Sequence, residues 1–116
     1  MDYISTRGKD GPLSFEEALL SGLARDGGLY LPVSYPSFSM DEIEAMRSLS
    51  YSQLAGRIMS RFTDGEIDAD ELATMAADAY ASFDDPAVAP LKHLDGNFHV
   101  LELFHGPTIA FKDYAM

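Results

Sequence analysis

Lys112 is placed where a lysine could act as a reagent. Ile109, Ala110 and Phe111 directly precede it, and a Gly106-Pro107 turn leads into them. An amine held among apolar neighbours loses the water that favours its ammonium form, and the neutral amine is the nucleophile that forms Schiff bases with carbonyls. Thr108 and the small Ala110 would let a backbone or a flat ring approach, and Phe111 would supply an apolar wall. The same spacing also suits a lysine that lays its methylene stem on apolar surface and keeps its head in water. Spacing alone leaves both readings open.

Two other groupings carry metal-binding residue types. "DGEIDADEL" resembles the second half of a calcium loop, with Gly65 at the sharp turn and Glu71 at the closing carboxylate position. The first half fails, because Ser60 and Phe62 stand where carboxylate ligands belong, so the segment reads as a turn followed by a helix cap. His93, His99 and His105 recur at an even spacing that would align them on one face of an extended strand. The Asp95-Gly96 pair should break that strand between the first two, and no carboxylate completes a metal triad. No metal site is expected. His105 keeps an interest of its own, because it abuts the turn that leads to Lys112.

The elements that must position these residues are legible from helix-start signals. Ser14 with Glu17, Ser39 with Glu42, Ser50 with Gln53 and Asp68 with Glu71 each pair a polar cap with an acid or amide three residues on, which satisfies orphan backbone N–H groups reciprocally. Apolar residues then recur at three or four, as in Tyr51, Leu54, Ile58 and Phe62, or Leu72, Met75, Ala76 and Ala79. The first helix is expected to end at Gly27-Gly28, with "LYLPV" following as a short edge strand and "DYISTR" as another strand. After the breaker-rich "DDPAVAP", the segments "LKHL" and "NFHVLELF" flank Asp95-Gly96 as a hairpin. Helices therefore dominate to about residue 83 and β structure follows, with a domain boundary expected near residues 84–90.

Composition narrows the function classes. The 116 residues are 47% apolar with 19 acids against 8 bases, a net charge of −11 that argues against nucleic-acid or anionic-membrane partners. Residues 88–116 carry only three acids and two bases, so the terminal stretch is chemically distinct from the acidic remainder. With no cysteine, thiol catalysis and disulfides are excluded. No apolar run approaches the ~20 residues of a membrane span, and no signal peptide is evident, so the cytoplasm is the default expectation.

"LELFHGPTIAFKDYAM" resembles the cofactor-lysine segment of threonine synthases, pyridoxal-phosphate enzymes of fold type II. Within the stretch through Asp113 it departs from that family's pattern only at Ile109, a conservative change. "YISTRG", "SFEEALLSGLARDGGLYLP" and "FSMDEIEAM" are similar to the same family's N-terminal domain, so the similarity spans nearly the whole chain. The resemblance implies an α+β chain. Residues 1–84 would form a mainly helical N-terminal domain with short strands, and residues 85–116 a hairpin and loop that begin the α/β fold type II cofactor domain.

The implied reaction converts O-phosphohomoserine and water to threonine and phosphate, a lyase activity in threonine biosynthesis. Lys112 would hold pyridoxal phosphate covalently and move protons at the substrate's Cα and Cβ. Phe111 would pack near the cofactor, and Thr108 and His105 would shape the loop that presents the lysine. In that family the Gly-rich loop for the cofactor phosphate and the partner of the pyridine nitrogen lie downstream of the lysine. The chain is therefore expected to be an N-terminal portion ending just after the cofactor lysine, inactive by itself and lacking stable cofactor. Its "HVLELF" strand, without sheet neighbours, could lead it to self-associate. A threonine-synthase-like phospho-lyase and a free-standing protein-interaction domain are the alternative readings.

Overall fold

A computed structural model describes residues 1–115. In chain order the elements are β1 (Tyr3–Ser5), α1 (Phe15–Ser21), β2 (Tyr30–Pro32), α2 (Met40–Met46), α3 (Tyr51–Thr63), α4 (Ala69–Tyr80), β3 (Leu91–Asp95) and β4 (Phe98–Leu101). A 3-10 turn, Phe111–Tyr114, carries the lysine. Among the described residues the architecture is α+β: four helices with two separate antiparallel strand pairs, β1 with β2 and β3 with β4.

All four helix starts fall where the caps predict them. Ser14, Ser39 and Ser50 form reciprocal capping boxes with Glu17, Glu42 and Gln53. Asp68 caps α4 differently: its carboxylate accepts from the Asp70 N–H at 2.8 Å, and Glu71 does not close a box. The aspartate oxygen thus satisfies one N–H of the helix end, two residues on, without a return bond.

The first helix stops earlier than expected. It ends at Gly22, whose φ of 71° places it outside the range favoured by side-chain-bearing residues, and not at Gly27-Gly28. The glycine pair instead makes the tight return in which Leu23 and Leu29 form an antiparallel bridge. A Cβ on Gly28 would lie 2.2 Å from Ser5 Oγ, so β1 can approach this turn only because the residue is glycine. Asp26 fixes the approach: its carboxylate accepts from Ser5 Oγ at 2.6 Å, Gly28 N at 2.9 Å and Lys9 N at 3.1 Å. These donors hold the Asp26 carboxyl below its usual range, the Ser5 hydroxyl contributing most.

The calcium-loop look-alike has structural work to do. Asp64 adopts the left-handed conformation that ends α3, at φ 52°. Glu66 reaches across to α1 and accepts from the Phe15 and Glu16 N–H groups at 3.0 and 2.9 Å, capping a second helix from a distance. Asp68 starts α4. The acids thus serve three helix ends.

Helices α3 and α4 form the main packing unit. At their crossing, a Cβ on Gly56 would meet Ala69 O at 2.6 Å and both Ala73 N and Cβ at 2.8 Å, so glycine sets the interhelical distance. Leu72 and Ala76 are buried on the facing stripe. Elsewhere the buried apolar residues are Tyr3, Ala18, Ala24 and Val88, while many larger ones, including Leu19, Leu20 and Leu23, remain exposed.

The second strand pair stands apart. Leu91 faces Leu101, Lys92 faces Val100 and His93 faces His99, after which a register shift brings Asp95 opposite Phe98. Asp95 completes β3, and Gly96 and Asn97 form the turn, with Gly96 at φ 55°. This moves the turn one residue along from the Asp95-Gly96 pair read from the sequence. Every residue of both strands is exposed. An isolated two-stranded hairpin is at best marginally stable in water, so its apolar faces are surfaces without local cover.

Candidate functional site

The lysine segment folds back on the linker that follows α4. Asp84 N donates to His105 O at 3.0 Å and Glu102 N donates to Pro90 O at 3.0 Å, so the stretch after β4 runs beside residues 84–90. Tyr114 forms the hub of this arrangement. Its hydroxyl donates to Val88 O at 2.9 Å and accepts from His105 N at 3.2 Å, and its own carbonyl accepts from the Tyr80 hydroxyl at 2.8 Å. A file of edge-to-face rings, Tyr51, Tyr80, Phe83 and Tyr114, with centroids 5.0–5.1 Å apart, leads from α3 through the end of α4 to the lysine turn. Aromatic pairs of this geometry each add about 0.5–1.5 kcal/mol beyond area burial.

Lys112 itself is exposed. It lines an open cleft with Ala79, Phe83, Pro107, Thr108 and Asp113. Within these residues it matches the reading of a solvated head on an apolar rim, and the desolvated amine considered from the sequence is not formed here. Phe111 is 67% exposed and offers its ring as an open face, not yet as a wall. Thr108 also faces solvent, but its hydroxyl donates to Asp113 Oδ1 at 2.6 Å and its N–H to Asp113 Oδ2 at 2.9 Å.

His105 is the best enclosed of the four candidates, its side chain only 12% exposed. Nδ1 lies 2.5 Å from Asp84 Oδ1 and Nε2 lies 2.8 Å from Glu102 Oε2. A neutral imidazole has one N–H and can satisfy only one of these acceptors, whereas the imidazolium donates to both. The Glu102 hydrogen bond, opposed by desolvation and reinforced by Asp84 and the nearby Asp85 charge, raises the His105 pKa above its ordinary value. The ring is therefore a clamp between segment and linker.

A raised folded-state pKa makes this clamp pH-sensitive with a definite sign. Its contribution is fully present below the unfolded value of about 6.5 and is lost as pH rises through the higher folded value. Thermal unfolding midpoints are thus expected to fall from pH 6 towards pH 8, and His105→Gln to flatten that trend. A His105→Gln profile that falls as steeply as the wild type would assign the trend to other groups.

The other two histidines form a cross-strand pair, with ring centroids 4.9 Å apart on the exposed hairpin. His93 Nε2 lies 2.9 Å from Gly96 O and His99 Nδ1 3.3 Å from Asn97 O, so both rings bond locally at the turn. They do not join His105. Asp113, Asp84 and Glu102 are the site residues that spacing arguments missed. The Thr108–Asp113 interval is short enough to have suggested a side-chain closure of the turn, but Asp84 meets His105 only through the tertiary path of the linker.

Comparison with known proteins places this architecture. The chain aligns over 97% of its length, with a TM-score of 0.91 and 53% sequence identity, with the crystal structure of pyridoxal-phosphate-bound threonine synthase from Brucella melitensis. It aligns equally far with the yeast enzyme at a TM-score of 0.86 and 39% identity. The fold is thus the α+β region found in pyridoxal-phosphate-bound threonine synthase. The family model "Threonine synthase N terminus" matches residues 2–80, and the curated threonine synthase of Pseudomonas aeruginosa is 50% identical over 116 residues, all of this chain. The chain belongs to the threonine synthase family. It spans about a quarter of the length of these relatives, 25% of the Pseudomonas protein and 24% of the Brucella chain.

Proposed function

We propose that this chain contributes the cofactor lysine, Lys112, to a threonine synthase that converts O-phosphohomoserine and water to threonine and phosphate. The observation that carries the reading is the presentation of Lys112: a family-matching segment, locked by Asp113 and clamped by His105, holds an exposed amine over an open cleft. Residues 1–84 would form the N-terminal unit and residues 85–116 the start of the cofactor-binding unit.

The residues present fit the aldehyde end of pyridoxal phosphate. A primary amine is reachable at the cleft rim, and the exposed Phe111 ring gives a flat apolar surface beside it. When bound, the cofactor supplies an electron sink for carbanion chemistry at the substrate. Lys112 would anchor it covalently and then take and return protons at the substrate's Cα and Cβ. Phe111 would shield one side from water. Thr108 and His105 act by shaping the turn, since the threonine hydroxyl proton goes to Asp113 and the histidine ring nitrogens face Asp84 and Glu102. The remaining length of a full enzyme would close the cleft and desolvate the amine.

Two measurements test this reading. Full-length protein carrying the sequence is expected to release threonine and phosphate together from O-phosphohomoserine; phosphate without threonine would move it to the phospho-lyase alternative. The 116-residue chain alone is expected to retain no stoichiometric cofactor after dialysis, because a phosphate dianion needs converging backbone N–H groups and the chain carries net charge −11. Stoichiometric mass addition on Lys112 after borohydride treatment of the dialysed chain would overturn that expectation.

A further inference from the structure

We infer that Asp113, the residue following Lys112, is the positioning residue that sets the direction of the lysine; this rests on the reading of Lys112 as the cofactor lysine. The 3-10 turn Phe111–Tyr114 is four residues long and has no side-chain cap at Ala110. So short a turn does not hold its shape unaided. It is entered through Ile109 at φ 61°, a conformation that costs a β-branched residue free energy and persists only where its surroundings enforce it.

Tyr114 holds the far end of the turn through Tyr80, His105 and Val88, and within the turn the enforcement comes from one carboxylate. Asp113 accepts both the N–H and the hydroxyl proton of Thr108, at 2.9 and 2.6 Å, and so ties the two ends of the turn across Ile109, Ala110, Phe111 and Lys112. Asp113 N donates to Ala110 O at 3.0 Å and Ile109 N to Gly106 O at 3.1 Å, completing the closure through the backbone. Beneath it, Gly106 is buried, and a Cβ there would fall 2.5 Å from both Asp113 Cβ and Oδ2. The carboxylate therefore rests directly on the glycine backbone. Gly106, Thr108 and Asp113 act as one lock, and the lysine between Phe111 and Asp113 has its backbone fixed on both sides. Both Thr108 and Lys112 reach solvent, so losing the lock costs direction more than burial.

The test uses the full-length holoenzyme and two readouts apart from turnover: apparent affinity for pyridoxal phosphate by absorbance titration, and the fraction of cofactor trapped on Lys112 by borohydride with peptide mapping. Asp113→Ala is expected to weaken cofactor affinity about tenfold and to lower the trapped fraction, the scale of losing hydrogen bonds to a charged group. Thr108→Val should weaken affinity about threefold, whereas Thr108→Ser, which keeps both donors, should match the wild type. The Asp113→Ala/Thr108→Val double variant should be no weaker than Asp113→Ala, because the two residues form a single interaction.

Wild-type affinity and trapping in Asp113→Ala would overturn the inference, as would reduced thermal stability of the cofactor-free protein with affinity unchanged. If Asp113→Ala does not fold by circular dichroism, Thr108→Val decides: unchanged affinity overturns the lock, and a loss restored by Thr108→Ser upholds it. Undiminished trapping of cofactor in Lys112→Ala would instead show that another lysine is used, sinking the underlying assignment independently of Asp113.

Discussion

Full-length protein carrying Lys112→Ala is expected to lose threonine formation by at least about a thousandfold. One positioned acid–base group contributes roughly 10²–10⁴-fold to a rate, and this lysine would supply both the covalent anchor and the proton transfers. Lys92, on the exposed hairpin strand β3, is the other lysine of the terminal stretch and lies outside the Lys112 cleft. Lys112→Arg should not rescue activity, since a guanidinium stays protonated and is a poor nucleophile. Parallel assays of threonine and phosphate, with circular dichroism to confirm folding, make the outcome readable. Turnover within tenfold of wild type would remove Lys112 from the chemistry.

A large stability effect is expected at Gly56, where the helix backbones meet. In an exposed helix Gly→Ala gains about 1 kcal/mol, so propensity alone predicts a more stable protein. Here the added methyl would collide with Ala69 O at 2.6 Å and Ala73 N at 2.8 Å. Both belong to helix backbone, which cannot swing aside as the end of a long side chain can. Overpacking costs typically about 1–3 kcal/mol, and separating α3 from α4 would also loosen contacts around Leu72 and Ala76, so a net loss of about 2 kcal/mol is expected. For a chain of 116 residues that lowers the melting temperature by about 8 °C. A Gly56→Ala protein that melts at or above the wild-type temperature would show that the helices separate without cost.

Much of the fold could be read from local chemistry, because capping is local. Ser14, Ser39, Ser50 and Asp68 each announce a helix within four residues, and each helix begins there. Gly27-Gly28 misled for a physical reason: glycine marks helix ends, tight returns and close backbone approach alike, and only the position of Ser5 decides among them. Glu66 lies within the calcium-loop look-alike, yet it caps a helix some fifty residues earlier. At the site, spacing could not separate a reactive lysine from an ordinary one, and it was the resemblance of the whole segment that singled out Lys112. The partners that shape its turn are mixed in kind. Thr108 and Asp113 are close in sequence, whereas Asp84 and His105 meet only because the linker doubles back.

The file of rings from Tyr51 to Tyr114 joins the helical pair to the lysine turn by unbroken contact. Each ring stands on edge against the next, and the last of them belongs to the residue whose carbonyl and hydroxyl bond Tyr80 and Val88. Substitutions at Tyr51 or Tyr80, on the helices and outside the lysine turn, should therefore be screened by catalytic assay as well as by melting. Anyone grafting this lysine turn onto another scaffold would need to carry the tail of α4 with it.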